Sequence, residues 1–220
     1  MKKVLITGGS DGLGKAIAKS LVTEGYEVTI LSRDEAKTKK AASELGCSYA
    51  VADVRDAKAL EKAIAQAGDV DILVNNAGVW IQNALEENPI EAIKEVMDVN
   101  ALGTIYATRA VVPGMKKRGG GRIINVISQA GLYAKGERSV YNASKWAVTG
   151  FTKSMQQELN LHKIAVTGLY PGSIDTDLFE KAGSYRRNNA LETATVAGSI
   201  VYICGLPDSV NVPEIGMYNL

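Results

Sequence analysis

The chain has 220 residues, 46% of them hydrophobic, and its 25 basic residues nearly balance 24 acidic ones, giving a formal net charge of +1. This length suits one α/β domain, and the apolar fraction is large enough to bury a substantial core. Because no block of like charge occurs, nothing in the composition points to a nucleic-acid or membrane-surface partner.

Targeting segments and metal-binding patterns are not apparent in the sequence. No apolar run reaches the ~18 residues of a membrane-spanning helix, and the first predicted strand begins too early to leave room for a signal peptide. Cys47 and Cys204 stand alone, so we interpret them as reduced, small hydrophobic residues of a cytoplasmic protein. The single histidine, His162, falls between a predicted helix and a predicted strand. We expect neither a metal site nor a catalytic histidine.

Buried apolar runs alternate with segments of helical periodicity along the whole chain. Strands are predicted near residues 3–7, 27–31, 48–52, 70–75, 121–128, 164–170 and 213–219. Helices are predicted near residues 12–24, 35–45, 57–67, 88–117, 139–161 and 191–204. This alternation predicts an α/β fold, in which parallel strands are covered by helices on both faces.

The first predicted strand leads directly into a glycine-rich turn. Gly8, Gly12 and Gly14 follow the apolar residues 3–7, and residues 15–22 then have helical spacing. Strand, glycine turn and helix is the context in which such glycines indicate dinucleotide binding, because they let backbone N–H groups approach a pyrophosphate. The spacing is T-G-x-x-x-G-x-G and differs from the commoner G-x-G-x-x-G.

A tyrosine and a lysine lie four residues apart in one predicted helix. Tyr141 and Lys145 therefore share a helix face, so the ammonium can stand beside the phenol. A nearby positive charge favours phenolate and lowers the tyrosine pKa from its usual value of about 10. The pair, with Ser128 at the end of an apolar run, suits proton exchange with an alcohol or carbonyl oxygen.

These motifs, in this order, resemble the short-chain dehydrogenase/reductase family over essentially the whole chain. The matching positions are Thr7 to Gly14, Asp53-Val54, Asn75-Asn-Ala-Gly78, Asn100, Ser128, Tyr141, Lys145, and Pro171-Gly172 with Thr176. The resemblance implies a single Rossmann-type, doubly wound domain over residues 1–220, with about seven parallel strands and an integral substrate cleft. A short lid is expected at about residues 177–190.

The resemblance implies a catalytic tetrad of Asn100, Ser128, Tyr141 and Lys145. In the reductive direction Tyr141 would protonate the developing alkoxide, and Ser128 would hydrogen-bond the same oxygen. Lys145 would lower the tyrosine pKa and bond the nicotinamide ribose. Asn100 would hold a water that links Lys145 to solvent.

The resemblance also implies the residues that contact a nicotinamide cofactor and a substrate. The cofactor contacts are Gly8, Ser10, Asp11, Gly12, Leu13, Gly14, Ser32, Arg33, Asp53, Val54, Asn76, Ala77, Gly78, Tyr141, Lys145, Pro171, Gly172, Ile174 and Thr176. The candidate substrate contacts are Trp80, Gln129, Tyr133 and Tyr185. Trp80 could instead serve only in packing, and Tyr185 could belong to an exposed charged loop.

The end of the second predicted strand indicates which nicotinamide cofactor is used. An acidic residue there bonds the ribose 2′-hydroxyl, whereas an arginine accommodates a 2′-phosphate. Ser32 and Arg33 can both donate to phosphate, so NADP(H) is favoured. NAD(H) stays an alternative, because Asp34 is close enough to compete and Asp11 stands where many NADP-preferring relatives carry a basic residue.

We therefore predict an NADP(H)-dependent oxidoreductase that acts on a small-molecule carbonyl or secondary alcohol. One alternative is an NAD-preferring dehydrogenase of a small hydroxy acid or polyol. Another is a non-catalytic protein that senses the cofactor. The family resemblance further implies a homodimer or homotetramer, formed through the helices predicted near residues 88–117 and 139–161.

Overall fold

The computed structural model of the protein describes residues 1–178 and 189–220. Its strands are β1 (Lys3–Thr7), β2 (Glu27–Ser32), β3 (Ser48–Val51), β4 (Ile72–Asn75), β5 (Gly121–Val126), β6 (Ile164–Pro171) and β7 (Glu214–Met217). All seven run parallel in one sheet, in the order β3-β2-β1-β4-β5-β6-β7. The predicted Rossmann-type α/β fold with about seven parallel strands is thereby confirmed.

Helices connect these strands. Those of the described residues are α1 (Gly12–Thr23), α2 (Glu35–Leu45), α3 (Ala57–Ala67), α4 (Ile90–Met97), α5 (Gly103–Arg118), α6 (Ser139–Asn160) and α7 (Thr193–Gly205). The prediction of one helix near residues 88–117 is wrong, because a π-helical turn over Asp98–Leu102 separates α4 from α5. Within residues 1–178 and 189–220, no helix has the length and apolar character that a membrane span requires.

The sheet is covered on both faces, which explains why its central strands carry apolar side chains on both faces. Successive side chains of a strand point to opposite faces. Val4 and Ile6 of β1 therefore pack in the layer that contains α1 and α7, whereas Leu5 packs in the layer that contains α3 and α5. All three side chains are at most 2% exposed. Burial of each contributes about 1.5–3 kcal/mol to stability.

The order of the strands reverses at β1 and places a crevice beside it. From β1 the chain winds outward through β2 and β3, and it then crosses to β4 on the other side of β1. The last residues of these two strands, Thr7 and Asn75, are directly paired. Ligands of open α/β sheets bind outside the carboxyl ends of the strands at such a reversal.

Candidate functional site

The glycine turn after β1 is so tightly folded that two of its positions exclude a side chain. Gly8 has φ of +67°, and a Cβ there would lie 2.9 Å from the Cα of Ala77. A Cβ on Gly14 would lie 2.2 Å from the Gly8 carbonyl oxygen. Lys15 N–H donates back to the Asp11 carbonyl, and the Asp11 carboxylate caps the amino end of α1 by accepting from Gly12 N–H at 2.8 Å. The turn therefore leaves room for an anionic group at this helix end.

Asn76 joins the glycine turn to the turn after β4. Its side-chain amide donates to the carbonyl oxygens of Thr7 and Gly8, each at 3.2 Å. In return, the hydroxyl oxygen of Thr7 accepts from the backbone N–H groups of Asn76 and Ala77, each at 3.1 Å. These four bonds fix the floor of the crevice between β1 and β4.

A buried polar network lies beneath this floor. The Asn75 side-chain amide donates to the Asn125 side-chain oxygen at 2.8 Å and to the Thr108 hydroxyl at 3.1 Å. Asn125 in turn donates to the Thr152 hydroxyl at 2.8 Å. Since an unpaired buried polar group costs about 1–3 kcal/mol, this chain of partners ties β4 and β5 to α5 and α6. Asn75 is thus a structural residue, whereas its neighbour Asn76 faces the cleft.

Tyr141 and Lys145 lie together on α6, as their spacing predicted. Each is 6% exposed, and the Lys145 Nζ is 5.7 Å from the centroid of the tyrosine ring. Lys145 Nζ also donates to the Val126 carbonyl oxygen at 3.3 Å, which directs the ammonium toward the end of β5. The two side chains are therefore neighbours in a water-poor part of the cleft.

Burial dominates the protonation of this pair. It raises the pKa of Tyr141 to about 12, an effect that the Ser128 hydrogen bond and the positive charge of Arg138 only partly oppose. Burial lowers the pKa of Lys145 to about 8. The expectation that Tyr141 has a lowered pKa is therefore wrong for the protein alone, because loss of hydration outweighs the neighbouring charges.

Ser128 reaches Tyr141 from a strained backbone position. Its φ of 140° lies in a region that residues with a side chain rarely adopt, at a cost of about 1–3 kcal/mol. The chain leaves the sheet there and enters a short 3₁₀ turn over Gln129–Gly131. Within that turn the Ser128 Oγ accepts from the Ala130 N–H at 3.1 Å, and the same side chain hydrogen-bonds the Tyr141 phenol.

Asn100 lies in the π-helical turn between α4 and α5 and is 1% exposed. Its side-chain oxygen accepts from Val79 N–H at 2.8 Å, and its amide donates to the Val79 carbonyl at 3.0 Å. The same amide donates to the Ser144 hydroxyl at 3.0 Å. The side chain therefore braces the chain after β4 against α6, a contact that the family resemblance did not indicate.

Two side chains extend the group around Tyr141. The Trp80 ring meets the Tyr141 ring edge to face, with the centroids 4.3 Å apart. The guanidinium carbon of Arg138 lies 5.0 Å from the centroid of the Trp80 ring, which is a cation–π contact. Trp80 packs on Tyr141 and also lines the cleft, and its contact with a substrate stays a prediction. Sequence reasoning missed Arg138, although its position three residues before Tyr141 predicts a neighbouring location.

The cleft encloses about 780 Å³ and is lined by most of the predicted site residues. Its walls include Gly8, Asp11, Gly12, Leu13, Gly14, Arg33, Asn76, Ala77, Gly78, Trp80, Ser128, Gln129, Tyr133, Tyr141, Lys145, Pro171, Gly172, Ile174 and Thr176. Walls that the prediction missed include Glu95, Lys135, Arg138, Asn142 and Asp177. Four predicted cofactor residues, Ser10, Ser32, Asp53 and Val54, lie beyond these walls. The predicted substrate residue Tyr185 lies outside the described residues.

Ion pairs surround the end of the cleft near β2. Glu95 lies between two arginines, 3.6 Å from Arg33 and 3.7 Å from Arg55. Arg55 also holds the Asp53 carboxylate at 2.6 Å, which keeps the pKa of Asp53 below its usual value. Arg33 therefore faces a carboxylate as well as the cleft.

Two further predicted residues at this end are engaged with their neighbours. Ser10 donates to the Ser32 hydroxyl at 3.0 Å, so the two serines bridge the glycine turn and β2. The Asp34 carboxylate accepts from Lys37 N–H at 2.9 Å and caps α2. Because the cap holds Asp34 at the start of α2, competition from this carboxylate at the cofactor ribose is weakened.

A family model described as short chain dehydrogenase matches residues 2–187. The chain belongs to the short-chain dehydrogenase family. One relative is the NADP-dependent 3-hydroxy acid dehydrogenase YdfG of Salmonella typhi, 33% identical over 231 residues that cover 97% of this chain and 93% of the relative.

Solved structures of the family match the whole fold. The closed form of a serine dehydrogenase complexed with NADP+ has a TM-score of 0.92 at 30% identity, covering 99% of this chain and 94% of that one. An alcohol dehydrogenase from the archaeon Thermococcus sibiricus, complexed with 5-hydroxy-NADP, has a TM-score of 0.90 at 28% identity, covering 99% and 96%. With the family match, these findings show that the chain is an NAD(P)-dependent oxidoreductase of the dehydrogenase/reductase type.

Proposed function

We propose that this protein is an NADP(H)-dependent oxidoreductase that interconverts a carbonyl and a secondary alcohol, with Tyr141 as the general acid and base. The observation that carries the proposal is the group of Tyr141, Ser128 and Lys145, buried together in a cleft that also contains the glycine turn. A cofactor held by the turn would thus lie in the same cleft as the proton donor.

The residues around the glycine turn fit a nicotinamide dinucleotide. The close approach of Gly14 to the Gly8 carbonyl leaves no side chain between the turn and the amino end of α1, where a diphosphate would bind. Pro171 and Gly172, at the end of β6, line the same cleft as the glycine turn. When bound, the cofactor supplies the hydride, and the protein orients it and handles the proton.

Tyr141 and Ser128 act on the oxygen of the substrate. A phenol whose pKa is raised to about 12 is fully protonated at neutral pH, which suits donation to a developing alkoxide. The Ser128 hydroxyl, fixed by its turn, bonds the same oxygen and orients the carbonyl. Lys145 would hold the ribose and, when charged, stabilise the phenolate that remains after proton transfer.

NADP(H) is the proposed cofactor because Arg33 lines the cleft at the end of β2 and can bond a 2′-phosphate. The hydroxy acid dehydrogenase relative is NADP-dependent by its name, and both structural neighbours hold an NADP species. A second candidate is a dehydrogenase of small hydroxy acids, which the names of the serine and 3-hydroxy acid dehydrogenases favour.

We also propose that residues 1–220 form one cofactor-binding domain.

Replacement of the phenol tests the proposal. Tyr141→Phe removes only the hydroxyl, so we expect turnover of ketones, aldehydes and oxo acids to fall by at least about 100- to 10,000-fold. NADPH binding, measured by calorimetry, should stay within about threefold of the unchanged protein. Tyr202→Phe, which alters an exposed phenol on α7 outside the cleft lining, is the matched control. Undiminished turnover by Tyr141→Phe would refute the assignment.

A further inference from the structure

One cation of the cleft has no part in the proton transfer proposed above. Arg138 immediately precedes α6, and its guanidinium lies over the Trp80 ring at 5.0 Å. Trp80 in turn meets the Tyr141 ring at 4.3 Å. The three side chains form a continuous stack, which we call the Arg138–Trp80–Tyr141 stack. It holds a planar cation one aromatic ring away from the phenol that would act on the substrate oxygen.

The charges of the cleft are distributed unevenly along its length. Its charged lining residues, among those the structure describes, are Asp11, Arg33, Glu95, Lys135, Arg138, Lys145 and Asp177. Three of these are in ion pairs at the end near β2, where Arg33 meets Glu95 at 3.6 Å and the Asp11 carboxylate meets Lys37 at 2.6 Å. The loop before α6 contributes two further cations to the lining, Lys135 and Arg138, and the second of these belongs to the stack on Tyr141.

We propose that Arg138 is the binding group for the carboxylate of a short oxo acid or hydroxy acid, an assignment that rests on the function proposed above. A guanidinium can bind a carboxylate through two parallel hydrogen bonds. The contact with the Trp80 ring restricts the orientation of the Arg138 guanidinium, and therefore the direction in which its N–H groups donate. The short stack selects an acid whose carbonyl lies only a few bonds from its carboxylate.

The reaction needs only the reduced cofactor and one proton, which Tyr141 gives up and afterwards regains from solvent. The carbonyl carbon gains a hydride from the reduced nicotinamide cofactor, and the carbonyl oxygen gains the proton of Tyr141. The product is the hydroxy acid, and the carboxylate bound by Arg138 is unchanged. The Arg138 charge also lowers the pKa of Tyr141, so a carboxylate that offsets this charge helps the phenol to keep its proton until transfer.

Matched pairs of an acid and its ester test the assignment. We would measure kcat/KM with NADPH for acetoacetate and methyl acetoacetate, and for 2-oxobutanoate and its methyl ester. The unchanged protein should prefer at least one acid to its ester. Arg138→Gln should lower kcat/KM for that acid by about 10- to 100-fold, the loss expected for one charge-assisted pair, and for the ester by less than about threefold.

Two further variants separate charge from geometry. Arg138→Lys keeps the charge but not the planar fork, so it should restore part of the preference for the acid. Lys62→Gln removes one exposed charge from α3 and should leave both rates unchanged. NADPH binding and thermal unfolding of each variant establish that the fold is intact.

The pH dependence of substrate oxidation is a further test, because a purely structural role of Arg138 would not change it. We expect the rate of methyl 3-hydroxybutyrate oxidation to rise with pH, because Tyr141 would act as the base in that direction. Arg138→Gln should shift this rising limb to higher pH, because a charge that lowers the phenol pKa is lost. An unshifted limb would overturn the placement of the guanidinium beside the phenol.

The substrate results also distinguish the two proposals. Ester turnover without any preference for the acid, or equal losses for acid and ester in Arg138→Gln, overturns the carboxylate site and leaves the proposed function intact. Failure of the unchanged protein to reduce any of the four probes or a broad panel of neutral carbonyls overturns both.

Discussion

Cofactor choice depends on single side chains at the end of the cleft near β2. The sequence suggested that Asp11 would disfavour a 2′-phosphate. In the structure the Asp11 carboxylate is 2.6 Å from the Lys37 ammonium, so α2 supplies the basic group that the glycine turn lacks. Arg33 is paired with Glu95 at 3.6 Å, but its side chain is 59% exposed, which leaves it accessible to a phosphate.

Removal of the Arg33 guanidinium should therefore change cofactor selectivity. We expect Arg33→Ala to lower kcat/KM for NADPH by about 10- to 100-fold, because a charge-assisted bond to the 2′-phosphate is lost. The value for NADH should change less than about threefold. Lys39→Ala, an exposed change on the neighbouring α2, is the control. Equal losses with both cofactors would contradict a role in selectivity.

The buried lysine of the site should lower the stability of the fold. Because the pKa of Lys145 is about 8 in the folded protein and about 10.5 when unfolded, its charged form is disfavoured by folding, fully so below pH 8. Lys145→Met should thus raise the free energy of unfolding at pH 7 by about 2–3 kcal/mol. The gain should shrink as pH rises from 8 to 10.5.

Urea unfolding at pH 7 and pH 10 measures this linkage. Lys62→Met, an exposed replacement on α3, should show no comparable gain at either pH. A stabilisation by Lys145→Met that is equal at both pH values would indicate better apolar packing and would exclude relief of a buried charge.

At the scale of elements, the site depends on local departures from regular structure. The π-helical turn at Asp98–Leu102 turns Asn100 inward, where its side chain makes three hydrogen bonds to Val79 and Ser144. The turn after β5 similarly places Ser128 with φ of 140°. The π-helical turn and the turn after β5 thus each direct one polar side chain toward the site.

Loss of the Asn100 side chain should weaken the junction of α4, α5 and α6. Asn100→Ala leaves the Val79 amide and carbonyl and the Ser144 hydroxyl without these partners in a buried place. We expect the free energy of unfolding to fall by about 2–3 kcal/mol, as measured by urea denaturation. The exposed Asn83→Ala change should have little effect. A variant as stable as the unchanged protein would show that water replaces the lost bonds.

Apolar periodicity predicted the regular elements well and the irregular ones poorly. The strand predicted at 3–7 is observed with those bounds, because its continuous apolar run is buried on both faces. The strand predicted to continue to Ser128 ends at Val126, since the backbone turns away where Ser128 is needed. An extra residue in a helix does not alter its apolar pattern enough to be seen, so the π-helical turn was missed.

The candidate site was predicted in part. The glycines and the Tyr-x-x-x-Lys step could be found because their spacing follows from the geometry of a turn and of a helix. Arg138, Glu95 and Lys37 were not found, because their contacts depend on how separate elements pack and no local pattern records them.

At the scale of the whole molecule, the proposed homodimer or homotetramer remains a prediction. Trp146 is 50% exposed on α6, one of the helices expected at the subunit contact. A large, half-exposed aromatic side chain is typical of an interface. Its position next to Lys145 would bring the contact close to the site.

Trp146→Glu should therefore dissociate the oligomer. A charge buried in a subunit contact without a partner is strongly unfavourable, so we expect a shift to monomers in light scattering coupled to size exclusion. Tyr202→Glu changes an aromatic residue of α7 that is 62% exposed and serves as the control. If the unchanged protein is already monomeric at micromolar concentration, the oligomer proposal is wrong.

The position of Trp80 also makes the cleft visible by spectroscopy. The chain has only two tryptophans, and Trp146 is the other. With Trp146→Phe, all indole emission would come from a ring that contacts both Arg138 and Tyr141. The protein thus contains an intrinsic fluorophore at the place where we expect acids to bind, and filling of the cleft could be followed in real time without a label.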